Sequence, residues 1–541
     1  MSDNTYSGEK DTGYVPAGDI YAPYSPAAEK LLYALESRDL KYILPMAAVC
    51  AMMVFWGFSS GMRLGFTVAY IASLTVCTLY LAKGDTKPDG YTLLCGGVCA
   101  ALSAVFSFST SELNLIVITM LFGMSLVYFT GLVSKRREDT DLSVITSCVA
   151  EFFLGAFGGI GRMFSSIAKA RPSMNPERLR SLKGIALSLP LAAVLIGLLI
   201  SSDAAFEGLM LSFSMDIGED AFRLLASLLL SVLVVSYCWS LRMNEPARSC
   251  SSAKHADSTV MRSFLWVICG VYIVYLFSQL AYFFSAFSGI LPEAYRGEYM
   301  VSEYARRGFF EMCWIAVINF IVVFRCASLF GKERMKGICL GQCLFICAFT
   351  MVIAVTALSK MVLYIDMLGM TYLRVVTSVF MACLMIVFVL LALRLGKPSV
   401  RVVRSALIIF SLALLIMSFG DVNGFIASYD YSRYADGSLP DIDVWHLYSL
   451  GDSGVEYLIK LSGSTDPAVK AQAMDCLRSC CFRYWEVTYD SRFGIVPGDE
   501  LFSGWSGWCR SSEKAMEDLE GFYRLHPEVL SDAWTDGSVR Q

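Results

Sequence analysis

ICLGQCLFICAFTMVIAVTALS, residues 338–359, decides what kind of protein this is. The stretch carries no charge, yet it sits between Lys332-Glu333-Arg334-Met335-Lys336 and Lys360. As a helix rising 1.5 Å per residue it would reach across the roughly 30 Å of a bilayer's hydrocarbon core. Hydrocarbon offers no partner to a backbone N–H or C=O, so a segment of this kind must satisfy those groups within itself and is a helix.

Outward from this block the same pattern recurs at 42–58, 64–82, 91–109, 112–133, 184–202, 222–241, 262–287, 309–326, 375–394 and 403–421. The expectation is an all-α polytopic membrane bundle of about eleven spans. Composition agrees: 56% of the 541 residues are hydrophobic and 17% charged, against about a quarter charged in a typical soluble domain. The net charge of −4 argues against nucleic acid as a partner. Three scattered histidines, His255, His446 and His526, argue against a histidine-rich metal site, and no cofactor motif is present. Residues 1–30 are polar and rich in Tyr and Pro, with no apolar core before Tyr42, so they read as a disordered tail rather than a signal peptide.

Lys and Arg set the orientation. With the N-terminus inside, the segments 1–41, 83–90, 134–183, 241–262, 325–337 and 394–404 carry 27 cations, and the opposite loops carry 7. That asymmetry fits the positive-inside rule. It places the N-terminus in the cytoplasm and residues 422–541 outside. The expected division is a cytoplasmic tail (1–41), a four-span bundle (42–133), a cytoplasmic amphipathic and basic segment (134–183), a seven-span core (184–421) and an extracytoplasmic helical domain (422–541).

Two soluble segments have their own signals. In 141–170, Ile145, Val149, Phe152, Phe153, Ala156, Phe157, Ile160, Phe164 and Ile167 recur at helical spacing, with the basic stretch Lys169–Lys183 after them. This describes an amphipathic helix on the inner leaflet, structural or lipid-sensing. Its glycines do not make a phosphate loop, because no strand precedes them and no Lys-Ser/Thr follows. In the C-terminal segment, Ser453 and Glu456 have capping-box spacing, Asp466-Pro467 reads as N-cap and first helical position, His526-Pro527 opens a last short helix, and 484–509 reads as irregular. The cysteine stripe Cys339, Cys343, Cys347 reads as packing before copper binding. Cys509 is placed to pair with Cys476, Cys480 or Cys481.

Two motifs stand at the outer mouths of spans eight to ten: Glu303-Tyr304-Ala305-Arg306-Arg307-Gly308-Phe309-Phe310-Glu311 and Leu363-Tyr364-Ile365-Asp366-Met367-Leu368-Gly369-Met370-Thr371-Tyr372-Leu373-Arg374. With the tail Phe425-Ile426-Ala427-Ser428-Tyr429, and Asp430 where Asn is usual, they resemble a bacterial membrane family named domain of unknown function 4173, which has a close sister numbered 4153. The resemblance runs from about residue 90. It implies the topology and a bacterial context, and no activity, cofactor or catalytic residue.

Read physically, the motifs gather Glu303, Tyr304, Arg306, Arg307, Glu311, Lys360, Tyr364, Asp366 and Arg374 at one membrane boundary. Charges there must pair with one another or serve a ligand. Two readings follow: a network fixing loop 288–308 against loop 360–374, or arginine forks for a lipid phosphate or carboxylate. No HExxH, GxSxG or paired-Asp motif lies in the spans, so an enzyme is the least expected class. An envelope-sensing or scaffold protein comes first, with membrane lipid and a protein at the basic inner face as partners. A transporter or lipid-handling protein comes second.

Overall fold

The computed structural model describes residues 37–59, 62–82, 88–109, 113–133, 148–149, 151–161, 163, 219–243, 258–287, 298–329, 337–490, 494–500 and 505–531. The span expected at 184–202, residues 1–36 of the tail and the basic stretch Lys169–Lys183 lie outside these residues.

The membrane part runs α1 (Ser37–Ser59), α2 (Leu64–Leu81), α3 (Gly90–Phe108), α4 (Leu113–Val133), α5 (Glu151–Gly161), α6 (Glu219–Met243), α7 (Ser258–Phe287), α8 (Glu298–Leu329), α9 (Ile338–Leu368), α10 (Tyr372–Gly396) and α11 (Val402–Phe419). Among the described residues, seven of these helices, α2, α3, α4, α7, α9, α10 and α11, are long and apolar enough to cross a membrane. The expected spans 42–58, 222–241 and 309–326 fall in the helices α1, α6 and α8, and among the described residues their apolar runs are Lys41–Gly57, Leu230–Met243 and Met312–Ser328. Helix α1 already begins at Ser37, inside the stretch read as a disordered tail.

Many large apolar side chains on these helices point outward, among them Leu44, Leu115, Val267, Val274 and Phe277. Such a surface is what hydrocarbon, not water, accommodates. The protein is a multi-pass membrane protein. Inside, two apolar clusters form. One joins α1–α6 with parts of α10 and α11 and with the C-terminal helices. The other joins α7–α11 and takes in the buried stripe Cys339, Cys343 and Cys347. Helix α6 packs on α1, so its apolar residues belong to the first cluster.

Several polar groups within the helices are tied across helix pairs, where no water competes. Tyr70 and Ser125 share a hydrogen bond of 2.6 Å. Thr67 Oγ1 donates to Ser103 O at 2.7 Å, and Ser107 Oγ to Thr67 Oγ1 at 3.0 Å. In the second cluster Tyr272 donates to Asn319, whose amide donates to Thr350 at 2.8 Å.

Helix α5 carries the apolar stripe read from 141–170, and the structure divides it. Ala156 and Ile160 are buried, while Val149, Phe153 and Phe157 face outward. The glycines have a packing role. Ser236 and Ser240 of α6 both donate to Gly155 O at 3.1 Å. A Cβ at Gly159 would run into the hydroxyls of Ser236 and Ser240.

The C-terminal unit contains α12 (Val422–Ala435), α13 (Val444–Ser449), α14 (Val455–Leu461), α15 (Pro467–Tyr484), β1 (Trp485–Asp490), β2 (Gly494–Glu500), α16 (Arg510–Leu525) and α17 (Glu528–Ser531). Asp466 caps α15 by accepting from Ala468 N, with Pro467 in the first turn, as the sequence predicts. Two expectations are corrected. Ser453 does not cap α14, because its hydroxyl donates to Asp421 at 2.7 Å instead. The stretch read as irregular holds an antiparallel strand pair, Tyr489 opposite Ile495, a small exception among otherwise helical described residues. The cysteine pairing is also corrected. Cys476, Cys480, Cys481 and Cys509 are all free thiols. The first three sit in the apolar core, where burial pushes Cys476 and Cys480 up to about 12 and Cys481 up to about 11. Cys509 instead lies 3.5 Å from the Ser511 hydroxyl.

The helix ends sort onto two faces. On one, Leu64 N donates to Trp508 O at 3.2 Å, Arg63 donates to Gly507 O at 3.0 Å, and the rings of Phe108 and Phe419 meet edge-on. On the other, Arg242 donates to Tyr80 O at 2.9 Å, and the Arg404 guanidinium lies over the Tyr91 ring.

Candidate functional site

The turn between α9 and α10 is shaped by one residue. Gly369 has φ +77 and ψ 180, a conformation essentially reserved for glycine. It also lies against α12: a Cβ there would come within 2.9 Å of Asp430 Oδ1. Two independent constraints therefore require glycine at this position. The next amide, Met370 N, donates to Asp430 Oδ1 at 2.7 Å. A buried carboxylate of the C-terminal unit thus holds a backbone donor at the mouth of two membrane helices.

Arg374 completes the turn from the α10 side. Its guanidinium donates to Leu368 O at 3.1 Å and to Gly369 O, and its carbon lies 4.0 Å from the centre of the Tyr364 ring. A cation is favourable there because the last carbonyls of α9 have no helical partner and carry partial negative charge. On the exposed rim, Asp366 and Arg433 of α12 form an ion pair at 3.5 Å. Arg433 also donates to the Tyr429 hydroxyl at 3.2 Å and to Ser438 Oγ at 3.1 Å.

Asp430 is 5% exposed. Burial pushes its carboxyl above the usual range, opposed by the Met370 amide and by the nearby His446, Arg374 and Arg433 side chains. His446 sits on α13, where its own amide is capped by Asp443 at 2.9 Å. Its Nε2 is buried with no hydrogen-bond partner.

Of the residues singled out in the sequence, Tyr364, Asp366 and Arg374 meet at this turn, and Lys360 stands half-buried on α9 below it. Glu303, Tyr304, Arg306, Arg307 and Glu311 lie on the first half of α8, and their side chains lie outside the described residues. Sequence reasoning missed Gly369, Asp430, Arg433 and His446 as partners in the cluster. A signal for Asp430 was present, since it adjoins the tail 425–429 that shares the family pattern. Nothing local marks Arg433 as the counter-charge of Asp366, 67 positions away.

A second buried carboxylate lies within the C-terminal unit. Asp452 accepts from Tyr484 at 2.6 Å and from the hydroxyls of Ser511 and Ser512, both at 2.7 Å. Three neutral donors fix it between α14, α15 and α16. Among the described residues no group of three His, Cys, Asp or Glu is placed to hold a metal ion.

The turn and α12 both fall within a region shared with a known family. The family described as domain of unknown function (DUF4153) matches residues 69–461, which begins within α2 and ends at the last residue of α14. This is the sister of the family that the motifs first suggest. No curated protein and no solved structure is significantly similar to the chain. With well over half of its length matched, the chain belongs to the DUF4153 family.

Proposed function

We propose that this protein is a non-catalytic sensing or scaffold protein of the bacterial envelope, with its N-terminus in the cytoplasm and the C-terminal unit outside. The observation that carries the reading is the clasp between the α9–α10 turn and α12. Asp430 grips the Met370 amide and Arg433 pairs with Asp366. The unit is held a second time at the start of α2, through Arg63 and Leu64. A soluble unit tied to both apolar clusters through short polar contacts can pass a change in its own state to the helices. The donors of Arg374 and Arg433 point at the chain's own carbonyls, hydroxyls and carboxylate, which favours a structural clasp over an open anion site.

Two measurements test the reading. A reporter fused after Gln541 should read extracytoplasmic, and one placed near Arg248 cytoplasmic. Gently solubilised membranes should yield one defined protein partner, and Gly369→Leu, which breaks the clasp, should lower its recovery. Recovery of the protein alone under several detergents would remove the scaffold reading.

A further inference from the structure

Away from the clasp, a cavity of about 300 Å³ lies between α1, α2, α4, α5 and α6. Its lining on α2 runs from Phe66 to Cys77, and on α4 from Ile118 to Phe129. At 1.5 Å per residue each of these stretches extends about 17 Å. The cavity is therefore a slot parallel to the helices, at a depth that belongs to the hydrocarbon core of about 30 Å.

The walls give water little to hold. The polar groups that line the slot are the hydroxyls of Tyr70, Ser73, Ser125 and Tyr237 and the thiols of Cys50 and Cys77. Tyr70 and Ser125 bond each other, and Ser125 also donates to Leu121 O at 2.5 Å. Tyr237 meets Thr130 at 3.4 Å. The buried Ser73 hydroxyl lies against the Cys50 thiol. A stable interior water needs two to four polar partners, and apolar cavities stay dry and take apolar guests. Destabilisation grows with the volume of an empty cavity, so a slot of this size gains from a filling. Its volume equals that of roughly ten water-sized groups at about 30 Å³ each, room for a stretch of acyl chain. At the margin of the slot, Phe122 of α4 is 50% exposed and meets Phe152 of α5 edge-on at 5.1 Å, so the slot reaches the lipid-facing surface there.

We propose that this slot is a lipid-binding site that takes one acyl chain of a membrane lipid, entering between α4 and α5 beside Phe122 and Phe152. The surrounding bilayer supplies that chemistry at high concentration, and the slot matches it in polarity, length and direction. The site is independent of the clasp at Asp430, so either can fail alone.

The test uses the full chain in phosphatidylcholine vesicles doped with phosphatidylcholine that carries a diazirine on one acyl chain. After irradiation, adducts mapped by mass spectrometry should appear on slot residues such as Met53, Met62 and Phe66, besides the outward-facing Leu44 and Leu115. Val54→Trp and Ser73→Leu fill the slot and should cut the slot adducts at least tenfold while the outward adducts persist. Excess unlabelled lysophosphatidylcholine should suppress the slot adducts saturably in the unmodified protein, a readout that does not depend on either variant folding. Labelling of outward-facing residues alone, which would mean that the chain itself closes the slot, overturns the proposal. Slot adducts that neither filling nor competition reduces also overturn it.

Discussion

Two seams in this molecule turn on glycine, and they are held by different chemistry. Between α5 and α6, Gly155 and Gly159 let two apolar helices approach until serine hydroxyls bond a helix carbonyl. Between the α9–α10 turn and α12, Gly369 lets a backbone amide reach a carboxylate, with an ion pair on the rim. The first seam is a matter of shape. Lipid tails are as apolar as side chains, so small residues and close backbones drive helix pairing there. At the second seam water is within reach, and specific polar partners fix the geometry instead.

The comparison can be broken most forcefully at Gly159. Leucine at this position has no room beside Ser236 and Ser240. Overpacking of this kind costs about 3 kcal/mol, and the variant should vanish from the monodisperse peak in size-exclusion chromatography. A variant that accumulates and melts like the parent would refute the close α5–α6 approach.

Gly369→Ala should come next. It forces a side chain into φ +77 and against Asp430, for a loss of about 2 kcal/mol. A thermal melt of the purified protein measures it, and an unchanged midpoint would mean that the turn is not clasped.

Asp430 separates the seams by pH. Asp430→Ala leaves the Met370 amide without its acceptor and should cost about 1.5 kcal/mol. Asp430→Asn keeps an acceptor and removes the charge. Burial raises the carboxyl's pKa in the folded state. The stability of its neutral form is thus fully present below the ordinary carboxylate value and is lost as pH rises through the raised one. Melts across mildly acidic to neutral pH should show the parent losing stability with rising pH where the Asn variant does not. Parallel profiles would place Asp430 in water.

The smallest effect is expected on the rim. Asp366 is 59% exposed, and Asp366→Asn should cost less than about 1 kcal/mol, less still in high salt. A larger loss in a double-mutant cycle with Arg433→Gln would mean that the rim pair, not the buried carboxylate, holds the unit.

Much of the fold was legible in the sequence because hydrocarbon imposes local rules. A run such as 338–359 must be a helix wherever it lies in the bundle, and Asp466-Pro467 starts a helix with groups a residue or two apart. The strand pair within 485–500 escaped because its pairing is a contact between strands rather than a property of either one. The cysteine pairing failed because sequence shows that thiols exist but not that Cys476, Cys480 and Cys481 turn into an apolar core while Cys509 sits beside Ser511.

The candidate site divides in the same way. Sequence alone determined that Tyr364, Asp366 and Arg374 stand at a membrane boundary, since their place follows from the apolar runs on either side. Only the tertiary structure decided that Asp366 meets Arg433, that Met370 meets Asp430 60 positions away, and that five segments leave a slot between them. Transfer into lipid is a sum over neighbouring residues and can be read along the chain. A partner or a cavity depends on which distant surfaces the packed helices bring together.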